Sequence, residues 1–359
     1  MLERVVIMAG GTGGHVFPAL AIARELQNKG VTVSWLGTQK GLEADVVPAA
    51  GIPIDWISVN GLRGNGLAGW LRAPFSLMYA AYQAWRAIQK RKPQLVIGMG
   101  GFVAGPGGLV AWLCRKPLII HEQNAIPGLT NRLLSHIATV VFEAFPHAFP
   151  ERTKAIAIGN PVRSEILQLP APKERLRKHG NKLRLLVIGG SLGAMALNII
   201  VPKTLKHLTQ RNQIDVWHQT GKRHYESAKQ NYKSYGVDGR VDAFINDMAG
   251  AYAWADLVLC RSGALTVSEL AATGVGSILV PYPHAVDDHQ TANAQYLVSA
   301  GAAELLSQNE LNVNSLTALI SKYIDNTERV LQTAEAAYSL RKSDSVDQLI
   351  NKGYEVANV

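Results

Sequence analysis

The chain has 359 residues, 47% of them apolar and 18% charged, which excludes a disordered protein and exceeds what one core usually organises. Its two cysteines, Cys114 and Cys260, lie in apolar stretches, so no disulfide framework or cysteine metal cluster is expected and a reducing compartment is. The net charge is +9; no apolar run reaches membrane-spanning length, and Glu3 and Arg4 lead straight into a strand, which argues against a signal peptide.

In chain order, residues 5–8 read as a buried strand entering Gly10-Gly-Thr-Gly-Gly-His15, and 16–26 have helical spacing with Pro18 in the first turn. The loop is not the dinucleotide G-x-G-x-x-G, because its adjacent glycine pairs and His15 break that spacing. Residues 31–36 form a second strand, 38–43 open a helix, 52–59 form a third strand and 61–66 a basic loop. The stretch 67–92 is rich in bulky apolar residues and ends in Lys90-Arg-Lys92. Residues 95–99 are a strand running into a second glycine loop, 100–108, and a helix containing Trp112. Residues 117–120 are a strand ending in His121-Glu-Gln-Asn124. Residues 156–163 are the last strand and exit of this half. Strands alternating with helices predict a parallel sheet covered on both faces, with sites at the carboxyl ends of the strands.

A proline-containing, charged run over 169–184 reads as a linker, after which the pattern restarts. Residues 185–188 are a strand, Gly189-Gly-Ser-Leu-Gly-Ala194 a glycine loop, and 195–208 a helix. Two similar doubly wound α/β domains in tandem are therefore expected, with a cleft between them as the place for a site. Further on, 215–218, 257–260 and 277–281 are strands, with the segment 241–245 between the first two, 293–300 is a helix, and two amphipathic helices close the chain beyond Leu311. After the strand 257–260 a Ser-Gly turn leads into a helix opening at Ala264, Leu265 and Thr266, which suits a phosphate. Glu269 falls one turn further in, where a carboxylate would accept ribose hydroxyls. Phosphate and ribose together describe a nucleotide-diphosphate site; a strand–turn–helix with a capping acid is the plain alternative.

Taken together, Gly10-Gly-Thr-Gly-Gly-His15, Gly98-Met-Gly-Gly101, His121-Glu-Gln-Asn124, Gly159-Asn-Pro-Val-Arg163, Gly189-Gly-Ser-x-Gly-Ala194, Arg261 to Glu269 and Asp288-His-Gln290 resemble the MurG family of bacterial N-acetylglucosaminyltransferases. The resemblance implies a GT-B fold: two doubly wound Rossmann-like domains separated by a cleft, 1–160 for the acceptor and membrane, joined by a C-terminal helix at about 340–359, and 161–339 for the donor. It implies inverting transfer of N-acetylglucosamine from UDP-N-acetylglucosamine to undecaprenyl-linked lipid I, giving lipid II at the cytoplasmic face of the membrane. A UDP-sugar epimerase of the same architecture is the alternative.

On the matching positions, the resemblance gives the Ile245 backbone to uracil with Phe244 beside the ring. Ser191 and the amides of Ala264, Leu265 and Thr266 would hold the diphosphate, with Val267 and Ser268 in the same donor-binding turn, and Glu269 the ribose. Gln290, Asn124 and Arg163 would contact the sugar, with Thr12, Gly13 and Gly14 closing the site. His15, at a helix start, is the first candidate for general base and Glu122 the second. The sequence lacks the Asp-x-Asp pair expected of a metal-dependent transferase, so no cofactor is expected, and a divalent ion carried with the substrate stays open.

Charge adds a further expectation. Between Asp55 and Glu122 there is no acid, against eight basic residues. The absence of zinc-finger spacing and of an RRM aromatic signature argues against nucleic acid. Trp70, Phe75, Tyr79, Tyr82 and Trp85 interleave with Arg72, Arg86, Lys90 and Arg91, which fits a peripheral surface on an anionic membrane. A buried core helix is the bland reading of the same stripe.

Overall fold

Strands that are apolar on both faces must be covered on both faces, and that requirement shapes each half of the chain. The computed structural model describes residues 2–59, 66–176, 182–190 and 193–357, leaving aside the side chains of 66–73, Arg211 and Val286. The chain divides into two compact units, residues 1–162 with 344–359, and residues 163–343.

Unit 1 runs β1 (Arg4–Met8), α1 (Gly13–Asn28), β2 (Thr32–Gly37), α2 (Glu43–Ala49), β3 (Ile54–Trp56), α3 (Gly66–Arg91), β4 (Leu95–Gly98), α4 (Ala104–Leu113), β5 (Leu118–Glu122), α5 (Leu129–Leu134), β6 (Val140–Glu143) and β7 (Ile156–Ala157). Its parallel sheet has the order β3-β2-β1-β4-β5-β6-β7, with Ile7 facing Trp35 on one side and Ile97 on the other. Successive residues of β1 feed opposite cores. Val5 and Ile7 join Val16, Ile22 and Leu26 of α1, whereas Val6 and Met8 join Ala80, Ala84 and Ile88 of α3 and Val110 of α4.

Unit 2 runs α6 (Ser164–Leu167), α7 (Pro172–Leu176), β8 (Leu183–Ile188), α8 (Met195–His207), β9 (Ile214–Gln219), α9 (Tyr225–Tyr235), β10 (Arg240–Asp242), α10 (Met248–Trp254), β11 (Leu257–Cys260), α11 (Ala264–Thr273), β12 (Gly276–Leu279), α12 (His289–Val298), β13 (Ala303–Leu305), α13 (Val313–Ile324) and α14 (Thr327–Ser339). Its parallel sheet has the order β10-β9-β8-β11-β12-β13. The last helix, α15 (Ser345–Ala357), belongs to unit 1, where Leu349 and Ile350 enter the α1 core and the Ser345 hydroxyl donates to the Ile158 carbonyl at 2.6 Å.

Two parallel α/β units are the fold class expected. Several local readings are corrected. Three helices, not two, follow Leu311, and α5, β6 and α9 were passed over. The second glycine loop is helical from Ala104 onward. Its glycines serve close packing: a Cβ on Gly107 would strike Met8, and one on Gly108 would stand 2.8 Å from Leu134. The run read as a linker contains α7, whose Arg175 is buried and donates to the carbonyls of Thr273 and Gly274, both at 2.7 Å. That guanidinium caps the carboxyl end of α11, where the helix dipole favours a cation.

Candidate active site

In each sheet the strand order reverses between two central strands, β1 and β4 in unit 1, β8 and β11 in unit 2. The segments leaving β1 and β11 carry Thr12 to His15 and Ala264 to Glu269, whereas Asn124 follows β5, Arg163 follows β7, Phe244 and Ile245 follow β10, and Gln290 follows β12. In unit 1, Thr12 is the N-cap of α1, and its carbonyl accepts the amides of His15 at 3.1 Å and Val16 at 3.2 Å. Gly13 and Gly14 form the first turn, and His15 follows half-buried, with Nδ1 3.5 Å from the Thr12 hydroxyl. Its ring lies against the loop after β4, where a Cβ on Gly100 would stand 2.7 Å from His15 Cδ2.

Beside it, β5 ends in buried His121 and Glu122. Burial holds the His121 imidazole down to about 4, so it is neutral, and Nε2 lies 2.9 Å from the Gly159 carbonyl. A carbonyl only accepts, which assigns the ring proton to Nε2 and leaves Nδ1 to accept from the Gln123 amide 3.3 Å away. Glu122 is fully employed. Its Oε1 accepts from the Asn124 amide at 2.9 Å and Asn124 Nδ2 at 3.2 Å, and its Oε2 from Gly128 N at 3.1 Å and Asn131 Nδ2 at 2.9 Å. A carboxylate with four donors orders the 122–131 loop and has its oxygens occupied within that loop. Asn124 likewise spends both kinds of N–H on Glu122. Asn131, buried and bonded also to the His121 carbonyl at 3.1 Å, is a site-building residue that sequence reading missed.

In unit 2, α11 opens at Gly263, with no side chain among the described residues capping it. The opening turn presents the backbone of Leu265 and Thr266, half-buried like Ser268, while Val267 points into the core. The Ser262 hydroxyl just before it is buried with no hydrogen-bond partner. Glu269 is neither a surface cap nor solvated. Its side chain is 7% exposed, with Oε1 3.1 Å from Arg163 Nη2 and Oε2 accepting from the Tyr252 hydroxyl at 2.9 Å. Burial raises the Glu269 carboxyl above its ordinary range, opposed by the Arg163 charge and the Tyr252 bond. Burial also pushes the Tyr252 phenol well up, so it remains a donor. Tyr252 is the second residue that sequence reading missed; its place in an apolar Ala-Tyr-Ala-Trp run gave it the look of simple core.

Phe244 is exposed and Ile245 buried, on the segment after β10. Gln290, in the first turn of α12, uses Oε1 to accept the Tyr282 amide at 2.9 Å and so braces the loop after β12. Arg261 braces the same loop, donating to the carbonyls of Val280 and Pro281, both at 3.0 Å. Ser191 lies outside the described residues.

The face formed by α3, α4 and α5 inverts the usual pattern. Helix α3 buries Ala80, Ala84, Ala87 and Ile88 and turns Phe75 (71% exposed), Met78, Tyr79, Tyr82 and Trp85 outward. Next to it α4 exposes Leu109, Trp112 and Leu113, and α5 exposes Leu129 and Leu133. Arg86 is exposed beside this stripe. Lys90 and Arg91, by contrast, pair with Asp55 at 3.2 and 2.6 Å, so the acid that borders the basic interval neutralises part of it. The side chains of Trp70 and Arg72 lie outside the described residues. Among the described residues no helix is long and apolar enough to cross a membrane.

Residues 5–143 match the glycosyltransferase family 28 N-terminal domain, and residues 184–349 the family's C-terminal domain. The chain is 53% identical over 358 residues to the UDP-N-acetylglucosamine--N-acetylmuramyl-(pentapeptide) pyrophosphoryl-undecaprenol N-acetylglucosamine transferase of Nitrosococcus oceani, covering 100% of both chains. It is 48% identical over 349 residues to the Coxiella burnetii protein of that name, covering 97% of each. Among solved structures it is similar to MurG of Acinetobacter baumannii, with a TM-score of 0.84 and 40% identity over 98% of this chain and 99% of that one. The calicheamicin glycosyltransferase CalG4, at 18% identity and a TM-score of 0.68 over 99% and 100%, shares the fold. With its GT-B architecture and full-length relatives, the chain belongs to glycosyltransferase family 28, in the MurG branch of that family.

Proposed function

We propose that the chain transfers N-acetylglucosamine from UDP-N-acetylglucosamine to the 4-hydroxyl of undecaprenyl-pyrophosphoryl-N-acetylmuramyl-pentapeptide, converting lipid I to lipid II with inversion at the anomeric carbon. The observation that carries this reading is the 53% identity, end to end, to a relative bearing that name. The chemistry is a single displacement: the acceptor hydroxyl attacks the face opposite the departing UDP, and its proton must go to a base. His15 of unit 1 takes that proton, a role typically worth 10²–10⁴-fold in rate. In unit 2 the α11 opening receives the diphosphate, and its amides stabilise the charge that grows on the leaving group. Phe244 and the Ile245 backbone receive uracil, Ser191 a phosphate, and Gln290, Asn124 and Arg163 the sugar. Glu269 receives the ribose: each carboxylate oxygen has a second lone pair beside the bond it already accepts.

The outward aromatic face of unit 1 docks on the cytoplasmic surface of an anionic membrane, where the lipid-linked acceptor resides. Each inserted CH₂ is worth about 0.8 kcal/mol and each basic residue near the surface about 1 kcal/mol, enough for reversible, peripheral attachment. Incubation with UDP-N-acetylglucosamine and a short-chain lipid I analogue is expected to yield the disaccharide product and UDP. Release of an epimerised UDP-sugar without transfer would overturn the reading.

A further inference from the structure

The loop that carries His15 is held by a carboxylate that the transfer chemistry does not use. Glu43, the first residue of α2, is completely buried. Its Oε2 accepts the Gly11 amide at 2.9 Å, and its Oε1 accepts the Thr38 amide at 3.0 Å and the Thr38 hydroxyl at 2.7 Å. The Leu42 amide returns a bond to the Gly11 carbonyl at 3.4 Å, so the loops after β1 and β2 are tied in both directions. Gly11 has φ +95°, a left-handed backbone conformation that glycine adopts at little cost.

The surrounding glycines are shaped around this group. A Cβ on Gly10 would stand 2.6 Å from Glu43 Oε1, one on Gly37 3.0 Å from its Cγ, and one on Gly41 would overlap the carboxylate. Glycine-rich loops after a first strand ordinarily clear space for a ligand phosphate. Here three glycines clear space for a side chain of the protein itself.

We propose that Glu43 is the positioning residue for the catalytic loop: it fixes Gly11, and through Thr12 the first turn of α1, so that His15 meets the acceptor hydroxyl in register. The inference rests on the transferase reading and on His15 as base. Displacing a reacting group by about 1 Å can cost on the order of 10²-fold in rate. In Glu43→Gln, one end of the amide is an NH₂ that must face either the Gly11 amide or the two Thr38 donors, so one tie becomes a donor–donor conflict.

The test measures steady-state transfer to a short-chain lipid I analogue, UDP binding by calorimetry, and thermal melting, for wild type, Glu43→Gln, Thr38→Val and Thr38→Ser. Expected are a kcat lowered about 10²-fold in Glu43→Gln and several-fold in Thr38→Val, with UDP affinity within twofold of wild type. Thr38→Ser, which keeps the hydroxyl donor, returns kcat to near the wild-type value. Folded Glu43→Gln with wild-type kcat overturns the proposal. If Glu43→Gln does not fold, the threonine pair decides: equal kcat for Val and Ser overturns it, and rescue by Ser supports it. A wild-type protein that transfers nothing would instead refute the transferase reading.

Discussion

Tyr252→Phe removes one oxygen and keeps the ring, so it probes the Glu269 site with little change in packing. The deleted hydroxyl donates to Glu269 Oε2 at 2.9 Å in a buried setting, leaving the carboxylate with Arg163 at 3.1 Å. Hydrogen bonds to charged groups are worth about 1.5–3 kcal/mol, and about 2 kcal/mol is expected here at pH 8. For a domain the size of unit 2 that corresponds to a melting temperature lower by about 4–8 °C. The pH dependence is the sharper readout. Burial already raises the Glu269 carboxyl, and losing the Tyr252 bond raises it further. A carboxyl whose folded pKa exceeds its unfolded value binds more protons when folded, so the stability it contributes falls as pH rises through that interval. The deficit of Tyr252→Phe is therefore expected in full at pH 8 and to shrink on acidification, as Glu269 takes up a proton. Melting followed through Trp217 and Trp254, the tryptophans of unit 2, measures it. A deficit that stays constant on acidification, or is under about 1 °C at pH 8, would refute the account of Glu269 as a buried carboxyl whose charged form Arg163 and Tyr252 favour.

Glu269→Ala should weaken binding of UDP itself, read by calorimetry; unchanged affinity places the ribose elsewhere. His15→Ala should lower turnover by at least tenfold with little change in UDP affinity, and a smaller loss would remove His15 as the base. Replacing Phe75, Tyr79 and Trp85 by Ser and Arg86 by Gln should release the protein from anionic vesicles while sparing transfer to a water-soluble acceptor; equal loss on soluble and lipid acceptors would tie this face to the fold. Acid should act early on unit 2. Burial holds His218 down to about 3 against an ordinary 6.5, so the unfolded chain binds the extra proton first and stability falls by about 1.4 kcal/mol per pH unit below 6.5. His218→Gln should flatten that slope in urea titrations, and an unchanged slope would assign it to other groups.

The parts legible in the sequence are those in which apolar residues cluster or glycines repeat. β1, β8 and β11 each hold an unbroken apolar run, Val5 to Met8, Leu185 to Ile188 and Leu257 to Cys260, because both of their faces are covered. Helix α14 escaped because it buries Val330, Thr333, Ala334 and Ala337, small side chains that leave little apolar periodicity. Helix α9 escaped because it buries just Ala228 and Tyr232. In the candidate site, His15 and Glu269 stand out in the sequence by their position after glycine turns. Glu43 and Asn131 carry no such mark, since a buried polar residue looks like a surface one until its partners from distant loops are known. The aromatic stripe of α3 was ambiguous for the converse reason: composition does not say which side of a helix meets the sheet, and here the alanines do.

Helix α15 gives unit 1 a boundary in time as well as in space. A ribosome delivers residues 1–162 first, but the α1 face of that unit is finished by Leu349 and Ile350, and Gly353 lies so close to Leu95 that a Cβ there would stand 2.8 Å from it. Unit 2, continuous from 163 to 343, has all its strands in hand before α15 exists. When residue 343 has been made, unit 2 has all its residues, whereas the α1 face of unit 1 still lacks Leu349 and Ile350. In the finished fold α15 covers the α1 face, while the aromatic side chains of α3 stay outward on unit 1.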